Sequence, residues 1–201
     1  MKKKAVITII VGVILFFVIS SIILFSILGL FIIGVASSGD STNSNVIVTS
    51  SNITGVLTVS SREEKEYAKM VVDTLFNALE EKDPQAIKGL FSEYAKNNTY
   101  DLDGKINRLI NFYPGADGGY ESSSISDESN DYGTKSQTLE LTLVIQNQEF
   151  KYKINIGMYI RNDLDSSKIG VHLIEVLVEE KAPSNFKWKS IDDAPGIYFT
   201  I

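Results

Sequence analysis

Cysteine is absent from all 201 residues, which removes disulfides, thiol nucleophiles, cysteine-bound zinc and any lipid-modified cysteine anchor. Histidine occurs once, at His172, so a paired-histidine metal site within the chain is excluded. Neither a glycine-rich phosphate cradle nor a nucleophile-elbow serine is present. Positive charge is scarce beyond residue 36: 16 Lys and Arg face 25 Asp and Glu, a net −9. An acidic domain has no electrostatic reason to bind nucleic acid or an anionic membrane face. No cofactor is expected. The lack of disulfides fits a bacterial surface better than a secreted animal domain.

What is present begins with a long apolar run. Residues 5–36 contain no charged side chain, and Lys2, Lys3 and Lys4 stand directly before them. About 20 apolar residues span a bilayer core of roughly 30 Å, so 32 suffice. The lysines place the N-terminus in the cytoplasm and the C-terminal domain outside. Gly34-Val35-Ala36-Ser37 would also serve as a signal cleavage site, but the run is about twice the length of a signal core. A single-pass anchor is expected, with residues 1–36 as basic lead and transmembrane helix. Residues 37–61 read as a linker, since 16 of positions 37–60 are Ser, Thr, Asn or Gly. Within it, Val46-Ile47-Val48 and Val56-Leu57-Thr58-Val59 either pair as strands or dock on the domain. Residues 62–201 form the expected extracytoplasmic domain.

Helical periodicity starts after Ser61, which makes a capping box with Glu64 ahead of Ala68, Val71, Val72, Leu75, Phe76 and Leu79. Asp83-Pro84 opens a second helix with Ile87, Leu90, Phe91 and Tyr94 on one face. A third runs from near Asp101 to Tyr113 and ends at Pro114-Gly115. The period then changes to two. A weak strand around 120–125 and a Ser- and Asp-rich loop precede Leu139, Leu141, Leu143 and Ile145. Phe150, Tyr152, Ile154, Ile156, Met158 and Ile160 alternate likewise after Asn147-Gln148, predicting a hairpin. A further strand spans 169–179, and the segment from Ala182 returns to the sheet edge at Ile197-Tyr198-Phe199. The order predicts an α+β domain, three helices packed on a curved antiparallel sheet of three or four strands.

Lys82-Asp83-Pro84 followed by Leu90-Phe91-Ser92, with Lys168 to Leu173 and Pro195-Gly196-Ile197-Tyr198, carries a resemblance. Over about residues 62–201 the chain resembles the nuclear-transport-factor-2-like, or cystatin-like, superfamily. More narrowly it resembles an uncharacterised family of membrane-attached or lipoprotein-type surface domains from Gram-positive bacteria. The resemblance implies a cone with a pocket at its wide end. It also implies, in the superfamily's enzymes, a pocket His–Asp acid–base pair. Lipid-held members of the narrow family use a cysteine that this chain lacks, which leaves the helical anchor as the attachment.

His172 shares strand phase with Ile174, Val176 and Val178 and is expected to point inward, while Glu175 and Glu179 fall in the opposite phase. Tyr67, Phe76, Phe91, Tyr94, Phe112, Tyr113 and Tyr152 read chiefly as core, with His172, Tyr94 and Tyr152 as the ligand-binding candidates. Asp127, Ser129 and Asp131 copy the opening of a calcium loop, but Tyr132 stands where glycine is needed and no acid holds the twelfth position. Asp163 and Asp165 fail similarly, so no metal site is expected. The function expected is a non-enzymatic module binding a small ligand or an envelope protein. The alternatives are an isomerase- or dehydratase-like pocket enzyme working through His172, and self-association as a homodimer through the sheet.

Overall fold

The computed structural model describes residues 44–50, 53–59, 61–147 and 149–201. The expected anchor at 5–36 and the first part of the linker lie outside the described residues. Among the described residues, no helix is long and apolar enough to cross a membrane.

Capping residues set the helix layer. α1, Arg62–Glu81, starts at Ser61, whose hydroxyl accepts from the Glu64 amide at 3.2 Å while the Ser61 amide donates to Glu64 Oε2 at 3.0 Å. This is the expected capping box. Glu64 does more: it is 3% exposed, and its Oε1 accepts from Ser126 Oγ at 2.6 Å and Gln137 Nε2 at 2.8 Å. One carboxylate thereby ties the first turn of α1 to two strands of the sheet. Lys82, in the left-handed region at φ 54°, ends α1. Asp83 then caps α2, Pro84–Leu90, through the Gln85 and Ala86 amides.

The single helix expected from Asp83 through Tyr94 is two. Phe91 is extended (φ −71°, ψ 140°) and bridges Val171, and the Ser92 amide donates to the Val171 carbonyl at 2.9 Å. Ser92 then caps α3, Glu93–Asn98, accepting from the Ala95 amide at 3.1 Å. An N-cap serine and a docked backbone outcompete one more helical turn. Gly170 permits the docking: it sits at φ 127°, and a Cβ there would lie 2.9 Å from the Ser92 nitrogen. With α4, Leu102–Phe112, the described residues hold four α-helices where three were expected.

Among the described residues, seven strands stand in the sheet in sequence order. They are β1 (Ser44–Ser50), β2 (Ile53–Val59), β3 (Tyr120–Asp131), β4 (Thr134–Gln146), β5 (Lys151–Asn162), β6 (Gly170–Val178) and β7 (Gly196–Thr200). The two apolar patches of the linker therefore pair as a hairpin, and five strands follow the helices rather than three or four. The sheet is not wholly antiparallel, because β2–β3 and β6–β7 pair in parallel. The hairpin of β4 with β5 forms as expected, Ile145 opposite Tyr152.

The stretch read as a Ser- and Asp-rich loop is the second half of β3, paired with β4 as far as Asp131 opposite Thr134. Tyr132 (φ 50°) and Gly133 (φ 88°) make the two-residue turn, both in the left-handed region that a primed hairpin turn requires. Tyrosine in place of Asn or Asp hides that turn in the sequence.

Between helices and sheet the space is filled. Leu75, Phe76 and Leu79 of α1 and Ile106 and Leu109 of α4 meet Leu139, Leu141, Ile156, Ile174 and Val176, all essentially without exposure. Phe76, Phe91 and Tyr152 belong to this core, and Tyr67, Phe112 and Tyr113 pack against it. Replacing Glu64 by Ala is expected to cost about 2–4 kcal/mol, because a cap and two buried charge-assisted bonds go together. Arg62→Ala, which removes only the exposed 3.3 Å pair with Glu66, should cost under about 0.5 kcal/mol. Urea unfolding followed by Trp188 fluorescence measures both.

Candidate functional site

The outward face of the sheet carries a polar row. Thr142, Asn155 and Glu175 stand opposite one another on β4, β5 and β6, and Thr142 Oγ1 donates to Asn155 Oδ1 at 3.0 Å. A strap formed by residues 182–195 crosses this face. The Lys189 amide donates to Glu175 Oε2 at 2.7 Å and the Ile191 amide to Glu140 Oε1 at 3.4 Å. Buried carboxylate is tolerable here because backbone N–H groups satisfy it. Gly157 makes room for the strap: a Cβ would meet Ile191 Cδ1 and Leu173 Cγ at 3.2 Å.

His172 supplies the third hold on the strap. It is 4% exposed, and its Nε2 bonds the Asp193 carbonyl at 3.0 Å. A carbonyl only accepts, so the ring is the tautomer with hydrogen on Nε2. Nδ1 is buried and has no hydrogen-bond partner among the described residues. The ring stacks on Tyr94 at 5.9 Å and meets the edge of Tyr159 at 5.8 Å, while Lys168 Nζ lies 5.2 Å from the centre of the Tyr94 ring. No carboxylate bonds either imidazole nitrogen among the described residues, so the acid of an acid–base pair is missing there. Burial holds His172 below its ordinary value near 6.5, the Asp193 carbonyl opposes this, Lys168 adds to it, and Asp192 opposes it.

Of the three ligand-binding candidates, Tyr94 and His172 meet and Tyr152 stands apart. Tyr152 lies at the start of β5, fully buried, its hydroxyl donating to the Gly115 carbonyl at 2.8 Å. Burial raises its phenol, with Glu80 and Asp117 adding to the effect. Phe112 and Phe150 lie against it, at 5.9 and 6.0 Å between ring centres.

Those two phenylalanines open a feature that residue patterns did not reveal. A groove of about 510 Å³ is lined by Phe112, Glu149, Phe150, Val178, Glu180, Lys181 and Ile201. It sits where α4 ends, β5 begins and β6 ends, so Tyr152 backs its aromatic wall. Phe112 reads as core in the sequence, and Glu149, Glu180, Lys181 and Ile201 carry no motif. The clue available was chemical: Phe150 opens one apolar alternation and Val178 closes another, each beside charged neighbours.

The acidic segments take up separate positions. Asp127, Ser129 and Asp131 lie along β3, with Ser129 Oγ bonded to Ser136 Oγ at 2.7 Å. Asp163 receives Arg161 through two bonds, and Asp165 caps the 3₁₀ turn Ser166–Lys168. Groups of acidic or histidine side chains able to hold a metal ion are absent among the described residues.

Residues 74–180, more than half the chain, match the model of a family described as a domain of unknown function, DUF5104. The chain belongs to that family. The DUF5104 match runs from the middle of α1 to the end of β6 and on to Glu180, and so includes Tyr94, Tyr152, His172 and most of the groove. Lys181, Ile201 and strands β1, β2 and β7 fall outside it. No curated protein shows a significant match.

The setting of His172 gives a pH prediction. Its folded-state value is lowered, so the folded chain binds fewer protons than the unfolded one as pH falls. Stability is full above about 6.5 and declines as pH drops from there towards the lowered value. Asp163, Asp165 and Glu179, also lowered, act only below the ordinary carboxylate range, from 3.8 for Asp and 4.5 for Glu. Chemical denaturation between pH 7.5 and 5 should show the decline, and His172→Gln should flatten it.

Proposed function

We propose that the chain is a membrane-anchored surface protein whose nuclear-transport-factor-2-like domain is a non-enzymatic binding module. Its ligand occupies the groove beside Phe112 and Phe150. Residues 5–36 supply the anchor in this reading, with Lys2, Lys3 and Lys4 in the cytoplasm and the domain outside. The groove is the observation that carries the proposal. Its volume suits a drug-sized molecule or a short peptide end, and Phe112, Phe150, Val178 and Ile201 give it apolar walls. Glu149, Glu180 and Lys181 stand at its rim without an ion-pair partner among the described residues, free to orient a polar head.

The other readings find less support. For acid–base catalysis, no carboxylate bonds His172 among the described residues, and the ring is almost wholly buried. Self-association through the sheet needs an exposed apolar face. On β3 that face presents Glu121, Ser123 and Asp127 around Ile125, and on β5 and β6 the strap covers it.

The test uses 1-anilinonaphthalene-8-sulfonate as the apolar probe. Phe150→Ala should weaken its binding to the full chain about tenfold, and His172→Gln at pH 7.5 should leave it within about twofold. Trp188 fluorescence verifies that both variants are folded. Equal binding by the Phe150 variant, or loss in the His172 variant alone, would place the site elsewhere.

A further inference from the structure

We infer that the groove takes one end of an extended acidic peptide that adds to the sheet along β7. This rests on the groove being the binding site and names the class of ligand. Among the described residues, β7 is the last strand of the sheet and is hydrogen-bonded to β6 on one side only. Such an edge offers unpaired amides and carbonyls to a further strand. It also leads to the groove, because Ile201 follows Thr200 directly and lines it.

Charge decides what the edge accepts. Arg108 lies 4.3 Å from the centre of the Phe199 ring, and Lys189 and Lys105 lie 4.7 and 5.4 Å from the centre of the Tyr198 ring. None of the three pairs with a carboxylate among the described residues, although residues 37–201 are net acidic. The acids felt by Tyr198 are Asp193 and Glu175, and both already accept backbone amides, from Ser190 at 2.8 Å and Lys189 at 2.7 Å. Arg108 and Phe112 are four residues apart on α4, so one helix face sets a cation beside the strand and an aromatic ring in the groove.

These cations repel basic strands and favour a strand carrying carboxylates. A second copy of β7 would bring no acid, since Gly196-Ile197-Tyr198-Phe199-Thr200 has none. The peptide would span about six residues, five along β7 at roughly 3.3 Å each and one apolar residue in the groove.

The probe is a fluorescein-labelled peptide of alternating glutamate and valine ending in phenylalanine, titrated into the full chain by anisotropy. Binding is expected to weaken about tenfold between 50 and 500 mM salt, and about tenfold in the double variant Arg108→Glu, Lys189→Glu. Methylating the peptide amides that face β7 should abolish it. Equal binding by the methylated peptide, or full displacement by polyphosphate with no effect of methylation, would reduce the edge to an anion surface and overturn the inference. If the peptide fails while 1-anilinonaphthalene-8-sulfonate still binds in a Phe150-dependent way, the peptide is wrong and the groove stands. If both fail, both fall.

Discussion

Among the described residues, side chains from α1 and α4 interlock with β4, β5 and β6 into a core with almost no exposed surface. Leu75, Phe76, Ile106, Leu139, Leu141, Ile156 and Ile174 have essentially no exposed surface. Interiors of this kind pack at the density of organic crystals, and emptying one large position costs about 2–5 kcal/mol. The groove lies where the two layers end. At one end, Tyr94, His172 and Tyr159 close ring against ring. At the other, Phe112, Phe150, Val178 and Ile201 leave a groove open.

Buried polar groups act as joints around that interior. Glu64 joins α1 to β3 and β4, Ser92 joins α3 to β6, and Glu175 and His172 hold the strap against the outward face. The Ser61 and Lys189 amides, the Val171 and Asp193 carbonyls and the neutral side chains of Ser126 and Gln137 are among their partners. Hydrogen bonds of that sort fix geometry without the desolvation cost of a second buried ion. The lone histidine fits this pattern: its neutral ring is a latch, and protonation would put a charge between Tyr94, Tyr159 and Lys168.

Much of the fold could be read from periodicity. The capping box at Ser61 and Glu64, the Asp83-Pro84 start and the hairpin of β4 with β5 each left a local signal that tertiary contacts did not override. Two features were hidden for physical reasons. The break at Phe91-Ser92 depends on a contact with Val171 some 80 residues on, which local spacing cannot register. The second half of β3 carries Ser and Asp because its outward face meets solvent, and its turn uses Tyr132 where Asn or Asp is usual. The stacking of Tyr94 on His172 crosses from helix to sheet, so listing aromatic residues named the partners without pairing them. The groove was least legible, because its walls come from four separated elements.

Xenon tests the filled interior most directly, since it enters dry apolar cavities and shifts the methyl resonances around them. With methyl-labelled full chain under xenon pressure, Val178 and Ile201 should move, while Leu75, Ile106, Leu139 and Leu141 should stay fixed. Shifts in that second group would reveal space between helices and sheet and contradict the proposed placement of the site at the edge.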